Sequence, residues 1–225
     1  MKIKTPEIIY EDESLLVCRK EAGVPVQTSR AGQADMVSML KNYRAKKKES
    51  LYIGLVHRLD QPVEGVMVFA KTKEAAAHLS KQVSERTIDK QYVAVICGIP
   101  GKSSGEFTDY LLRDGKTNMS AVVSQKTPGA KKACLSYEVL QTDRERNLSL
   151  VRINLQTGRH HQIRVQFSHA GYPLYADAKY GIPAQEGSYC PVALCSCKIG
   201  FIHPATGKYM GFEIVPIGKG FQMIK

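Results

Sequence analysis

Two short stretches bring chemically capable groups together. In the first, residues 54–73 read GLVHRLDQPVEGVMVFAKTK, and His57, Arg58 and Asp60 stand between an apolar run at 51–56 and another at 63–70. Gln61, Pro62, Glu64 and Gly65 lie at the same junction. An arginine beside a carboxylate favours its ionised form, while partial burial removes competing water, so the pair supplies an anion at neutral pH. Such an anion is a nucleophile or a base. An isolated Arg-x-Asp equally caps a turn or forms a surface ion pair, so the tripeptide alone defines no activity.

The second stretch, residues 157–171, reads TGRHHQIRVQFSHAG. Ile163, Phe167 and Ala170 fall on one helical face, and Gly171 is placed to end the helix. Arg159, His160, His161 and Gln162 stand at the helix start. Arg164 lies about 100° around from Ile163, at the margin of the buried face, where a cation points along the core boundary into a cleft. The same residues also read as an exposed basic patch.

The elements that must hold these stretches follow from periodicity and punctuation. Apolar runs at 8–10 and 15–18 flank the acidic turn Glu11, Asp12, Glu13 and Ser14, which predicts a hairpin. Met36, Met39, Leu40 and Tyr43 recur at helical spacing after Asp35, predicting a helix to about Ala45. Thr72 caps a second helix to about Arg86, with Ala75, Leu79 and Val83 inward. A β-branched segment at 87–98 reads as a buried strand containing Tyr92. Runs at 105–112, 119–124, 133–140 and 148–155, separated by turn-rich segments, predict an antiparallel meander of imperfect alternation. Two more strands are expected at 192–200 and 209–215, on either side of a turn at His203 and Pro204.

With 225 residues, 43% hydrophobic and 24% charged, the composition is that of a folded globule with one sizeable core. The net charge of +11 draws polyanions and makes nucleic acid the leading partner. Trp is absent, so stacking on bases falls to Tyr, Phe, His or Arg. No window approaches the ~20 apolar residues of a membrane span, and the amino terminus has no secretory apolar segment, so a cytoplasmic protein is expected. The six cysteines include no Cys-x-x-Cys pair; Cys190, Cys195 and Cys197 near His203 match no common zinc spacing, and no metal is expected.

Taken together, the chain resembles the RluA family of RNA pseudouridine synthases. The resemblance rests on motifs in the family's order: IIYEDESLLVCRKEAGVPV, HRLD at 57–60, FAKT at 69–72, KQYVAVICG at 90–98, GRHHQIRV at 158–165, PLYADAKYG at 173–181 and GFIHPATG at 200–207. It implies an α+β pseudouridine synthase fold, a mixed and largely antiparallel sheet flanked by helices with a central RNA-binding cleft. It further implies that residues 1–225 form a single catalytic domain, without the S4-like module that several family members carry at the amino terminus. Asp60 would be the catalytic aspartate, Arg58 a residue that displaces the target nucleotide from its stack, Tyr92 an aromatic wall under the uracil, and Arg164 the partner of the aspartate. RNA contacts would come from His57, Arg58, Arg159, His160, His161 and Gln162. No cofactor is implied; the partner is structured RNA, ribosomal or transfer, and a monomer is expected.

Two positions depart from the family pattern. Val63-Glu64-Gly65 stands where Thr-Ser-Gly is usual, and His160 replaces a threonine. An extra acid beside Asp60 is expected to raise its pKa, and His160 to offer another cation to RNA. Isomerising uridine breaks C1′–N1, turns the base and rejoins it through C5. A carboxylate serves either by forming a glycosyl ester or by taking a sugar proton to give a glycal. Three functions remain open on the residues: the synthase, an RNA-binding protein without activity on the same scaffold, and an unrelated carboxylate-dependent hydrolase.

Overall fold

The computed structural model describes residues 5–30, 32–181 and 190–224. In chain order they hold β1 (Glu7–Glu11), β2 (Leu15–Lys20), α1 (Met36–Lys46), β3 (Gly54–Leu55), β4 (Glu64–Ala70), α2 (Lys73–Glu85), β5 (Asp89–Cys97), β6 (Ser104–Asp114), β7 (Met119–Val123), β8 (Lys131–Asp143), β9 (Leu148–Leu155), α3 (Gln162–His169), β10 (Leu194–Ile202) and β11 (Tyr209–Glu213). This is an α+β architecture dominated by antiparallel pairing. The chain divides into two compact units, Met1–Lys90 with Ser196–Val215, and Gln91–Cys195 with Pro216–Lys225. Among the described residues, no helix is long and apolar enough to cross a membrane.

In the first unit the acidic turn closes the predicted hairpin, because Asp12 Oδ1 accepts the amides of Ser14 and Leu15 at 2.7 and 2.8 Å. The strand order is β1-β2-β4-β10, with β3 also on β4 and β11 also on β10. Every residue of β2 and β4 is buried, so both faces are covered and the sequence shows continuous apolar runs rather than alternation. Gly65 is required at the start of β4: a Cβ there would lie 2.5 Å from that of Ser196. The run at 51–56 is a strand only at Gly54–Leu55, and Leu51 is 53% exposed.

Asp35 caps α1 in a reciprocal box with Ser38, and Met36, Val37, Met39 and Leu40 face inward. Thr72 caps α2 through the Ala75 amide. Ala75 and Leu79 are buried as the periodicity predicts, but Gln82 takes the next inward place while Val83 is only half-buried. The Gln82 side chain donates to the Ile202 carbonyl at 2.7 Å and accepts its amide at 2.8 Å. Both ends of the amide are used, which is what makes its burial tolerable.

In the second unit the order is β5-β9-β8-β6-β7, and each of these pairings is antiparallel. The four runs form strands as expected, but not as a meander, because β6 lies between β7 and β8. The connection over 124–130 is longer than a tight hairpin and lets the chain pass β7 to reach the far edge of β6. A β-bulge between Val139 and Gln141 explains the broken alternation: the extra residue, Leu140, is left 38% exposed. Helix α3 packs on β6 and β7. Its Phe167 meets Phe107 and Tyr137 edge-on at 5.1 and 5.4 Å, its Val165 joins Leu111 and Ala133, and Gly171 ends it at φ 85°.

Candidate active site

Asp60 sits in a turn built by backbone carbonyls and one lysine. The Val63 amide donates to the Asp60 carbonyl at 3.1 Å, and the Gly23 amide to the Gln61 carbonyl at 2.8 Å. Lys20, at the end of β2 and with no exposed surface, points its ammonium into this turn. Its Nζ donates to the carbonyls of Val63 at 2.6 Å, Gln61 at 3.0 Å and Glu21 at 3.1 Å. Burial pushes the Lys20 pKa down to about 7, against the opposing pull of Asp60 and Glu64. Glu64, the residue that departs from the family pattern, is itself buried. Its charge, expected to act on Asp60, also acts on a buried cation. Asp60 remains half-buried beside the buried Leu59.

The two residues that precede this turn face opposite ways. His57 is buried, and its Nε2 accepts the Val68 amide of β4 at 3.1 Å, so its proton sits on Nδ1. Burial, with Lys90 adding to it, holds the ring's pKa well below the ordinary histidine range, so the imidazole is neutral. Arg58 is exposed, and its guanidinium donates to Gln27 Oε1 at 3.1 Å.

In the second unit, Tyr92 is buried on β5 opposite Ile153. The start of α3 is fixed by a set of side-chain bonds. Gln162, buried, accepts the Thr157 hydroxyl at 2.8 Å and the Arg159 amide at 3.0 Å, and donates to the Cys134 carbonyl at 3.1 Å. Arg159 Nε donates to the Lys132 carbonyl at 2.9 Å. His161 holds the left-handed conformation at φ 54°, and its ring stacks on His160 with centroids 3.7 Å apart. His160 Nδ1 lies 2.9 Å from Ser120 Oγ, and His161 Nδ1 lies 2.7 Å from the Tyr180 hydroxyl.

Arg164 is buried and grips Asp177 with two nitrogens, Nε and Nη2, each at 2.7 Å from a carboxylate oxygen. Asp177 Oδ1 also accepts the amides of Lys179 and Tyr180 at 3.0 and 3.2 Å. Burial works to raise the Asp177 pKa, but the Arg164 hydrogen bonds and charge, with the two amides, hold it below the usual aspartate range. The guanidinium also lies 5.1 Å from the Tyr180 ring centroid.

His57, Arg58 and Asp60 thus gather in one segment of the first unit, and Arg159 to Arg164 in one turn of the second, with Tyr92 on a strand of that unit. Sequence reasoning passed over Lys20, Asp177 and Tyr180. The last two lie in PLYADAKYG, which marked them as part of a motif; Lys20 lies at the end of an apolar strand, where periodicity sorts a charge outward and so gives no signal of its burial.

The sequence pattern of the RNA pseudouridylate synthase family matches residues 14–169. The chain belongs to this family. Relatives of this pseudouridylate synthase chain include the ribosomal large subunit pseudouridine synthase D of Pseudomonas aeruginosa, 35% identical over 221 residues, covering 92% of this chain and 67% of that protein. The enzyme of the same name from Zymomonas mobilis is 33% identical over 220 residues, covering 92% and 68%. An uncharacterized RNA pseudouridine synthase of Mycoplasma pneumoniae is 30% identical over 207 residues, covering 92% of this chain but 65% of its own length. The chain therefore spans about two thirds of the length of these relatives. Among solved structures, human RNA Pseudouridylate Synthase Domain Containing 4 superposes with a TM-score of 0.77 at 23% identity, over 94% of this chain and 88% of that one. The fold is accordingly that of the pseudouridine synthases.

Proposed function

We propose that this chain isomerises uridine to pseudouridine in RNA, with Asp60 as the catalytic carboxylate. The observation that carries the reading is the family match across 14–169, which contains the HRLD segment whose aspartate stands half-buried on a lysine-held turn. Attack at C1′ and removal of a sugar proton both need an ionised carboxylate beside the ribose. The C1′–N1 bond breaks with its electron pair on the uracil, the ring turns, C5 bonds to C1′, and the C5 proton is lost while N1 is protonated. Atoms balance without redox or a second substrate.

Arg58, exposed and two residues before Asp60 in the chain, takes the place of the unstacked nucleotide, and Tyr92 supplies an aromatic surface for the uracil. Arg164 acts from the rigid seat that Asp177 gives it. Arg159 and His160 meet RNA, while His57, His161 and Gln162, all buried, support the segments that do. The net charge of +11 supports a polyanionic substrate. That substrate is structured RNA, ribosomal or transfer, and the names of the Pseudomonas and Zymomonas relatives favour ribosomal RNA. The protein acts in the cytoplasm as a monomer with one catalytic domain.

The test is pseudouridine mapping of total RNA from a strain lacking the gene, restored with wild type or Asp60→Asn. Loss of modification at one or a few uridines, restored only by wild type, is the expected result. Restoration by Asp60→Asn would overturn the role of the carboxylate, and an unchanged map that purified enzyme also fails to alter in vitro would favour an RNA-binding protein without activity.

A further inference from the structure

Arg58 is exposed, yet its guanidinium has a defined partner, since Nη2 donates to the side-chain oxygen of Gln27 at 3.1 Å. Among the described residues no carboxylate pairs with it. Arg164 is held in the opposite way, by two bonds to the Asp177 carboxylate. A carboxylate orients a guanidinium and also neutralises it. An amide oxygen orients it and leaves the whole positive charge for an incoming polyanion.

Gln27 stands on backbone that is fixed at both of its neighbours. On one side the carbonyls of Pro25 and Val26 accept the amides of Met36 and Val37 at 3.0 and 3.2 Å, and the Val26 side chain is buried. These are amides of the first turn of α1, which have no acceptor within the helix. On the other side the Thr28 amide donates to Asp35 Oδ2 at 2.8 Å, while Oδ1 of the same carboxylate caps α1 through the Ser38 amide at 2.7 Å. Further back, the Gly23 amide donates to the Gln61 carbonyl at 2.8 Å, and Gln61 Nε2 donates to the Gly23 carbonyl at 3.0 Å. Residues 23–28 therefore hold the chain on both sides of Asp60, at Arg58 through Gln27 and at Gln61 through Gly23, all within the first unit. Gln27 and Arg58 are both exposed, so their contact adds little to stability. What it fixes is direction.

We propose that Gln27 is a positioning residue for the reaction, a neutral acceptor on a strap anchored by the start of α1 that aims the Arg58 guanidinium at the nucleotide to be displaced. The proposal rests on the reading of Arg58 as the residue that takes the place of the unstacked nucleotide.

The experiment uses the full chain and an RNA stem-loop containing the uridine found by mapping, with 2-aminopurine beside it to report unstacking by fluorescence. Unstacking rate at saturating RNA, RNA affinity and thermal unfolding are measured for wild type, Gln27→Met, Gln27→Glu, Arg58→Ala and the double variant Gln27→Met with Arg58→Ala. Gln27→Met keeps the length of the side chain and removes the acceptor. Its unstacking rate should fall about three- to fivefold, the size of one hydrogen bond to a charged group, with RNA affinity and Tm unchanged. Gln27→Glu keeps an acceptor oxygen at the same reach, so its rate at saturating RNA should stay within about twofold of wild type, while its added negative charge weakens RNA binding. Gln27→Met should add nothing to the loss in Arg58→Ala, because it acts through that residue.

A wild-type unstacking rate for Gln27→Met overturns the proposal, as does an equal further loss in the double variant or a Gln27→Glu rate as low as that of Gln27→Met. A lowered Tm with weakened RNA binding in Gln27→Met marks a structural role and overturns it too. An Arg58→Ala variant that unstacks the base like wild type instead overturns the reading of Arg58, and the two failures are distinct because they are read on different variants.

Discussion

Replacing Arg164 by Met should leave Asp177 as a buried carboxylate without its cation, and the loss should be large. The side chains are 4% and 0% exposed and are joined by two bonds of 2.7 Å, so neither charge has bulk water to fall back on. Two backbone amides still reach Asp177 Oδ1, which compensates only one of its oxygens. Breaking such a pair from one side costs about 3–5 kcal/mol, because the remaining charge keeps its desolvation penalty. For a chain of this size that is a fall in Tm of roughly 6–20 °C. The assay is thermal unfolding of wild type, Arg164→Met, Asp177→Asn and the double variant at pH 7. The double variant should regain more than half of the Arg164→Met loss, since it no longer buries a charge. The sign with pH is also fixed: the Asp177 pKa is depressed in the folded state, so the pair's stabilisation is full above the unfolded aspartate value near 3.9 and is lost as pH falls through the folded value. The Arg164→Met penalty should therefore shrink in acid. A loss below about 1 kcal/mol at pH 7, the size of an exposed pair, would refute the argument.

Glu11 gives a second pH signature. Burial works to raise its pKa, but hydrogen bonds from Lys47, Lys71 and Tyr43 bring it from 4.5 to about 2. Its contribution, about 1–2 kcal/mol after allowance for solvent screening, is present above pH 4.5 and is lost as pH falls toward 2, so Glu11→Gln should flatten urea stability over that window. An unchanged slope would contradict the network. Arg159 holds the Lys132 carbonyl through Nε, and under the proposed function its guanidinium meets RNA phosphate. Arg159→Ala should weaken RNA binding and reduce the slope of log K against log salt by about 0.7–0.9, and an unchanged slope would remove Arg159 from the phosphate contacts.

Helix caps and strand existence were legible because they rest on local chemistry. Asp35 and Thr72 each satisfy an orphan amide within three residues of themselves, and such bonds are written in spacing alone. Strand order was not. The place of β6 between β7 and β8 depends on how the chain at 124–130 crosses, and nothing in the alternation of β7 distinguishes the two routes. The Leu140 bulge shows the same limit from the other side, since the slipped pattern was visible but its cause is a pairing between strands.

The site was legible in its motifs and illegible in its supports, for one physical reason. Reading by periodicity sorts apolar residues inward and charges outward, and the residues that hold the candidate catalytic groups are charges turned inward. Lys20 reaches the turn at 60–63 from a strand some forty residues earlier, and Asp177 reaches back to Arg164 across a loop. Each is tolerable only because several hydrogen bonds replace its lost water, three at Lys20 and four at Asp177. Such groups break the local pattern where a segment must be held rigid, which is where sequence logic and function are expected to part. Glu64 belongs to the same class: it is a third charge turned inward, buried next to the turn, and it acts on the Lys20 cation.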